Sequence, residues 1–339
     1  MRRFLRTLLW LVLSLSLLVS GLIAWMTQPG VKPVPARELP EVLPKQLRAH
    51  VETLTVDLYP RSADQPDTLQ RAAEHIAAAF KAAGAQVEMQ PVKVEEATYQ
   101  NVIARFGPST GPVRVIGAHY DSHGRASEGA KHARGHTKAT HTPGADDNAS
   151  GVAALIELAG LLQRNPPKHA IELVAYTLEE PPHFGTEHMG SAWHVRSLVE
   201  AQRSVEWMLS LEMIGYFTEA PGSQRYPLSA MRWLYPDRGN FIGLVGNLGS
   251  GVQSRRLKAV MAGATDMPVV SVNAPRWLPG IDLSDHRNYW SAGMPAWMLT
   301  DTAFYRNPNY HRSGDTADTL DYVRMAKVVQ MVYALAQAD

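Results

Sequence analysis

The sequence predicts a three-layer α/β sandwich with a mixed, largely parallel central sheet, preceded by one N-terminal transmembrane helix. Three observations carry that prediction. Short runs rich in Val, Ile and Leu alternate with longer runs at helical spacing, as in strand-helix-strand units. The run at 170–177 is mostly apolar, as a strand covered on both faces is. Residues 8–26 form an uncharged, largely apolar run long enough to cross a bilayer as one helix. With 339 residues, 45% of them hydrophobic and 19% charged, the chain can bury a substantial core without dividing into several domains.

The elements follow in order. Arg2, Arg3 and Arg6 precede the apolar run and favour an N-terminus left in the cytoplasm. The run ends in Ile23-Ala24-Trp25-Met26, without a small-x-small cleavage site, so residues 1–28 read as a retained anchor. A signal peptide removed after export is the alternative. Either way the remainder lies outside the cytoplasm: on the periplasmic side of the inner membrane in a bacterium, or secreted. Pro29, Pro33, Pro35, Pro40 and Pro44 make residues 29–44 a stiff tether, and residues 45–339 form the folded domain. Within it, residues 47–58 and 68–83 have helical spacing, with Leu69, Ala72, Ile76 and Phe80 on one face and Gly84 as a stop. Strands are expected at 86–92, 101–106, 113–118, 170–177, 207–211, 241–245 and 295–299. Helices are expected after residue 151 and at 250–264, 284–292 and 320–336.

Composition excludes several functions. A formal charge of +1 and no sustained basic run argue against nucleic acid as a partner. With no cysteine there are no disulfides and no thiolate metal sites, so any zinc must be held by His, Asp and Glu, the donor set of a catalytic rather than a closed structural site.

Those residue types gather at predicted strand ends, where open α/β sheets place their sites. Strand 113–118 runs into His119-Tyr120-Asp121-Ser122, strand 170–177 into Glu179-Glu180, and strand 207–211 into Glu212. Residues 144–151, Gly-Ala-Asp-Asp-Asn-Ala-Ser-Gly, put adjacent acids where a loop becomes a helix. Acids there either cap the helix or ligate a metal, because a carboxylate is rarely buried unpaired. His311 and Asp315 follow the last strand, in a turn-rich loop entering the final helix.

In this order the motifs resemble the co-catalytic di-zinc aminopeptidases of metallopeptidase family twenty-eight, which includes secreted bacterial leucyl aminopeptidases. The match takes in His119-x-Asp121-Ser122, the 144–151 octad, Glu179-Glu180 with Gly190-Ser191, Glu212-Met213-Ile214-Gly215-Tyr216, Ser284-Asp285-His286, and His311 with Asp315-Thr316. The resemblance implies a zinc exopeptidase fold and two zinc ions. It implies His119 and Glu212 on one zinc, Glu180 and His311 on the other, Asp146 as the bridge, and a cis peptide bond between Asp146 and Asp147. Glu179 would be the general base. Asp121 would fix the His119 ring, and Asp147 and Asp315 would stand behind the ligands. His286 would either donate to the developing oxyanion or brace the helix it begins. The family more often carries Asp where this chain has Glu212. Residues 181–188 lengthen the link after the Glu pair and are expected to reshape the substrate pocket. The expected substrates are peptides with a free N-terminus, and the N-terminal helix makes the membrane a second partner. Glutaminyl cyclases, with one zinc, and transferrin receptors, which bind without catalysis, share the fold and stand as alternatives. His123, His132, His136 and His141 lie in a stretch rich in Gly, Lys and Ala that reads as a solvated loop.

Overall fold

The computed structural model describes residues 2–36, 38–124 and 141–339. Helix α1 (Arg2–Thr27) is the apolar N-terminal segment, and its stretch Arg3–Thr27 is long and apolar enough to cross a membrane. Helix α2 (Pro44–Glu52) buries Leu47 and Val51. In α3 (Pro66–Ala82), Pro66 needs no amide donor in the first turn, and Leu69, Ala72, Ala73, Ile76 and Phe80 form the buried stripe that helical periodicity requires. Strands β1 (Gln86–Val94) and β2 (Ala97–Phe106) make an antiparallel hairpin. Strand β3 (Val113–His119), helix α4 (Gly151–Arg164) and strand β4 (Ala170–Tyr176) follow; every residue of both strands is buried. Helix α5 (Gly190–Glu200) leads to β5 (Val205–Glu212), then β6 (Ile242–Asn247), α6 (Gly251–Ala264) and β7 (Val269–Ala274). Helix α7 (His286–Ser291), strand β8 (Ala296–Thr300) and helix α8 (Tyr322–Gln337) complete the order.

The eight strands form one sheet in the order β1-β2-β4-β3-β5-β8-β6-β7. β4, β3, β5 and β8 are parallel to their neighbours; β2 and β6 run against them, and β7 is parallel to β6. Alternate residues of the central strands enter different cores, giving three layers. Ile116, Leu209 and Leu299 pack with α2, α3, α4 and α8, whereas Val115, Met208 and Met298 pack with residues of α5 and α7.

Two elements go beyond the sequence reading. Strand β7 follows Pro268 and mixes half-buried with buried residues, Ser271 and Asn273 among the buried ones, so sequence patterning does not mark it as a strand. Helix α5 begins at Gly190-Ser191, read from sequence only as a motif.

The parallel arrangement brings the ends of β3, β4, β5 and β8 to one pole of the sheet. β6 and β7 run the other way, so their C-terminal ends lie at the opposite pole. There α1 docks: Trp25 Nε1 donates to the Leu248 carbonyl (2.8 Å), Ser271 Oγ to the Thr27 carbonyl (2.9 Å) and Asn273 Nδ2 to the Trp25 carbonyl (3.3 Å).

Candidate metal centre

Strand β3 ends on His119, which is fully buried. Its Nε2 lies 3.3 Å from Asp147 Oδ1, 3.4 Å from Glu212 Oε2 at the end of β5, and 3.8 Å from Glu179 Oε2 beyond β4. His311, between β8 and α8, places its Nε2 3.2 Å from Asp147 Oδ2 and 3.3 Å from Glu180 Oε2. One carboxylate, Asp147, therefore turns an oxygen toward each histidine.

This corrects the expectation for Asp146. Its carboxylate faces away from both histidines and accepts from the Gly215 amide (2.9 Å) and Asn307 Nδ2 (2.7 Å). The non-proline cis bond joins Asp147 to Asn148, one position later than expected. The local cause is a set of clamps on successive residues. Gly144 takes a left-handed conformation (φ +64°), and a Cβ there would meet the Asp147 carbonyl oxygen at 2.4 Å. Asp315 accepts from the amides of Asp146 (2.9 Å) and Asp147 (3.1 Å), so its carboxylate braces this loop. Asn148 donates through Nδ2 to the Leu211 carbonyl (2.7 Å) and accepts through Oδ1 from the amides of Met213 (3.1 Å) and Gly151 (3.2 Å). Asp146 and Asn148 are thereby anchored into the fold, and Asp147 between them faces the cleft.

Asp121 also works differently from expectation. The nearer acceptor for His119 Nδ1 is the Asp121 carbonyl at 3.0 Å, with the carboxylate at 3.6 Å. The Asp121 carboxylate instead accepts from the amides of Glu179 (3.2 Å) and Glu180 (3.0 Å), fixing the Glu pair. Glu212 accepts from Ser284 Oγ (2.8 Å), which lies 2.8 Å from Ser210 Oγ.

His286 does not join this group. Its Nε2 lies 2.8 Å from the Ile281 carbonyl, and its ring stands edge-on to Trp290, with centroids 4.4 Å apart. Burial, reinforced by Arg287 and Arg276, pushes it down to about 4. The residue before it points to the cleft instead. Asp285 is fully buried beside Ser191, and its charged neighbours include His119, Glu212 and Asp121. Burial pushes it up to about 7. The Ser284-Asp285-His286 signal was legible; its histidine is the member that turns away. Arg61, unsignalled in sequence, donates to the carbonyls of Tyr120 (2.8 Å), Gly144 (3.0 Å) and Pro143 (3.1 Å), tying the end of β3 to the loop before Asp147.

Electrostatics match a cation-binding centre. Burial raises Glu179 well above the usual carboxylate range, with His119 opposing and Glu212 and Glu180 reinforcing. Burial likewise pushes Glu180 up to about 7, against His311. Although burial opposes it, His119 and His311 hold Asp147 below the usual range. Among the described residues, buried His119 Nε2, Asp147 Oδ2 and Glu180 Oε1 have no hydrogen-bond partner of good geometry, despite the short approaches given above. Donor atoms of His119, Asp147 and Glu212 lie within 4.8 Å of one another, as do those of His123, Glu180 and His311. Imidazole and carboxylate donors clustered in this way fit zinc.

Next to Glu212 opens an apolar cavity walled by Tyr226, Tyr235, Phe241, Ile281, Phe304 and Tyr310. Residues 181–188, expected to shape the pocket, contribute nothing to these walls. Of the remaining histidines, His141 pairs with Asp64 (3.0 Å), and His132 and His136 lie outside the described residues.

The profile of peptidase family M28 matches residues 101–336. The uncharacterized protein YfbL of Escherichia coli strain K12 is 49% identical over 308 residues, 91% of this chain and 92% of its own length. Among solved structures, BSAP, a zinc aminopeptidase from Bacillus subtilis, is similar with a TM-score of 0.66 at 16% identity, covering 88% of this chain and 95% of that one. Bacteroides thetaiotaomicron glutaminyl cyclase is similar with a TM-score of 0.66 at 19% identity, covering 89% and 100%. At those identities the two structures establish a shared fold.

Proposed function

The chain belongs to peptidase family M28, a family of zinc exopeptidases, and on that premise we propose that it is a membrane-anchored aminopeptidase holding two zinc ions. The observation that carries the proposal is Asp147, whose two oxygens face His119 and His311. In this reading Asp147 bridges, His119 and Glu212 hold one zinc, and Glu180 and His311 hold the other. Bound there, zinc would supply Lewis acidity for the scissile carbonyl and for the attacking water.

The chain's own residues do the rest. Glu179 takes the proton of the attacking water and hands it to the leaving amine; burial raises its affinity for a proton above that of an ordinary carboxylate. Asp121 holds Glu179 and Glu180 by their amides, so one carboxylate serves as base while its neighbour ligates. The buried acids Glu212 and Asp285 favour a substrate with a free, positively charged α-amino group. The apolar cavity beside Glu212 accepts the first side chain.

A metal count combined with a panel of free and N-blocked aminoacyl substrates tests the proposal. Two zinc ions per chain and cleavage of free substrates only is the expected result. Equal cleavage of blocked substrates would sink the aminopeptidase reading. One zinc together with cyclisation of N-terminal glutamine would replace it with a glutaminyl cyclase.

A further inference from the structure

We propose that His123 is an additional protein ligand of the second metal position, making that position closed while the first stays open. The inference rests on the two-zinc reading above. His123 sits four residues beyond His119, on a backbone held from both sides. The Ser122 amide donates to the Arg61 carbonyl (2.8 Å), and the His123 carbonyl accepts from the amide (3.0 Å) and Oγ1 (3.2 Å) of Thr142. That pinning aims the ring at the centre. Its centroid lies 4.1 Å from that of His311, with the planes tilted by 31°, and a ring nitrogen shares a sphere of 4.8 Å with donor atoms of Glu180 and His311. Tyr310 stacks on His311 at 3.8 Å, so the His311 ring is packed between Tyr310 and His123.

Counting donors separates the two positions. The first has His119, Glu212 and Asp147, which leaves room for water and substrate. The second has Glu180, His311 and His123 in one cluster, and Asp147 Oδ2 lies 3.2 Å from His311 Nε2, so two imidazoles and two carboxylates would be at hand, the number of protein ligands zinc takes in a closed site. An ion held by this second set would therefore be the more tightly bound of the two.

The test is zinc titration of the full chain against a competing chelator. The wild type should show two dissociation constants. His123→Ala should weaken the tighter by roughly 10- to 100-fold or more and leave the weaker within about twofold. His123→Asp, which keeps a donor, should restore most of the loss. Cobalt loaded at the tight position should change its visible absorption in His123→Ala, a readout that mere loss of packing does not produce. Comparing the zinc-induced rise in melting temperature, variant against wild type, removes any effect of the substitution on the metal-free fold. Unchanged zinc affinities and an unchanged cobalt spectrum in His123→Ala would overturn the proposal. A wild type that holds a single zinc, still weakened in His123→Ala, would overturn the two-zinc reading and leave the role of His123 standing.

Discussion

Glu179 and Glu180 are neighbours, share the Asp121 amide clamp and face different partners, and their separation of roles is testable. Glu179→Gln keeps the size and the burial but cannot accept a proton, so turnover should fall by roughly 10²- to 10⁴-fold with both metals retained. Activity near wild type, measured with a free aminoacyl substrate, would reassign the base. The acids of the octad divide in the same way. Asp147→Asn should lose zinc, because a neutral amide replaces the carboxylate between the two histidines. Asp146→Asn should keep it and lose roughly 1–3 kcal/mol of stability as the Gly215 and Asn307 contacts are disturbed. Metal content of the two variants, measured side by side, decides between Asp147 and Asp146 as the bridge. Much of this centre was legible, because strand ends mark where donors must gather: His119, Glu179, Glu180 and Glu212 all follow apolar runs. Which of two adjacent acids faces the cleft was not. That choice depends on the left-handed turn at Gly144 and on amide acceptance by Asp315, 168 residues from Asp147. The same limit applies to Ser284-Asp285-His286, where a motif identified the place without saying which side chain enters it.

At the scale of elements, interior strands declared themselves by mostly apolar runs, whereas β7 and α5 did not. β7 is the outermost strand and α5 is only partly buried, so neither needs a run apolar on every side. Helix α7 shows what a buried element costs in acid. His286 begins it, with Nε2 donating to the Ile281 carbonyl and Nδ1 buried with no partner among the described residues, so a second ring proton finds no acceptor there. Its folded value of about 4 lies below the unfolded 6.5. The unfolded chain therefore binds the extra proton first, and stability that is complete above pH 6.5 is lost as pH falls toward 4. The loss amounts to roughly 3 kcal/mol. Urea unfolding of the chelator-treated protein between pH 7 and 4 measures it without interference from metal release. In His286→Phe that share of the pH dependence should vanish; a variant as acid-sensitive as the wild type would remove His286 as its source.

Across the whole molecule, the apolar helix and the metal centre lie at opposite poles of the sheet. If the helix is retained as an anchor, the cleft would face away from the bilayer. The end of α1 also has a structural task that bears on whether it is retained. β7 is an edge strand, and edges left open pair with other chains. Here Ser271 and Asn273 of β7 bond to the carbonyls of Thr27 and Trp25, and Lys258 Nζ donates to those of Thr27 and Gln28, each at 3.0 Å. Residues 3–22 contribute none of these contacts. Removing residues 1–20 should therefore release a monomeric domain with unchanged kcat/KM on a small soluble substrate. Removing residues 1–28 should uncover β7, lower the melting temperature by several degrees and promote self-association, which light scattering detects. Signal cleavage after Met26 would split Trp25 from Thr27 and remove part of the same contacts. Mass spectrometry of the protein from membranes gives the decisive number: an intact N-terminal segment is expected, and a mature chain beginning beyond Met26 would replace the anchor with a signal peptide.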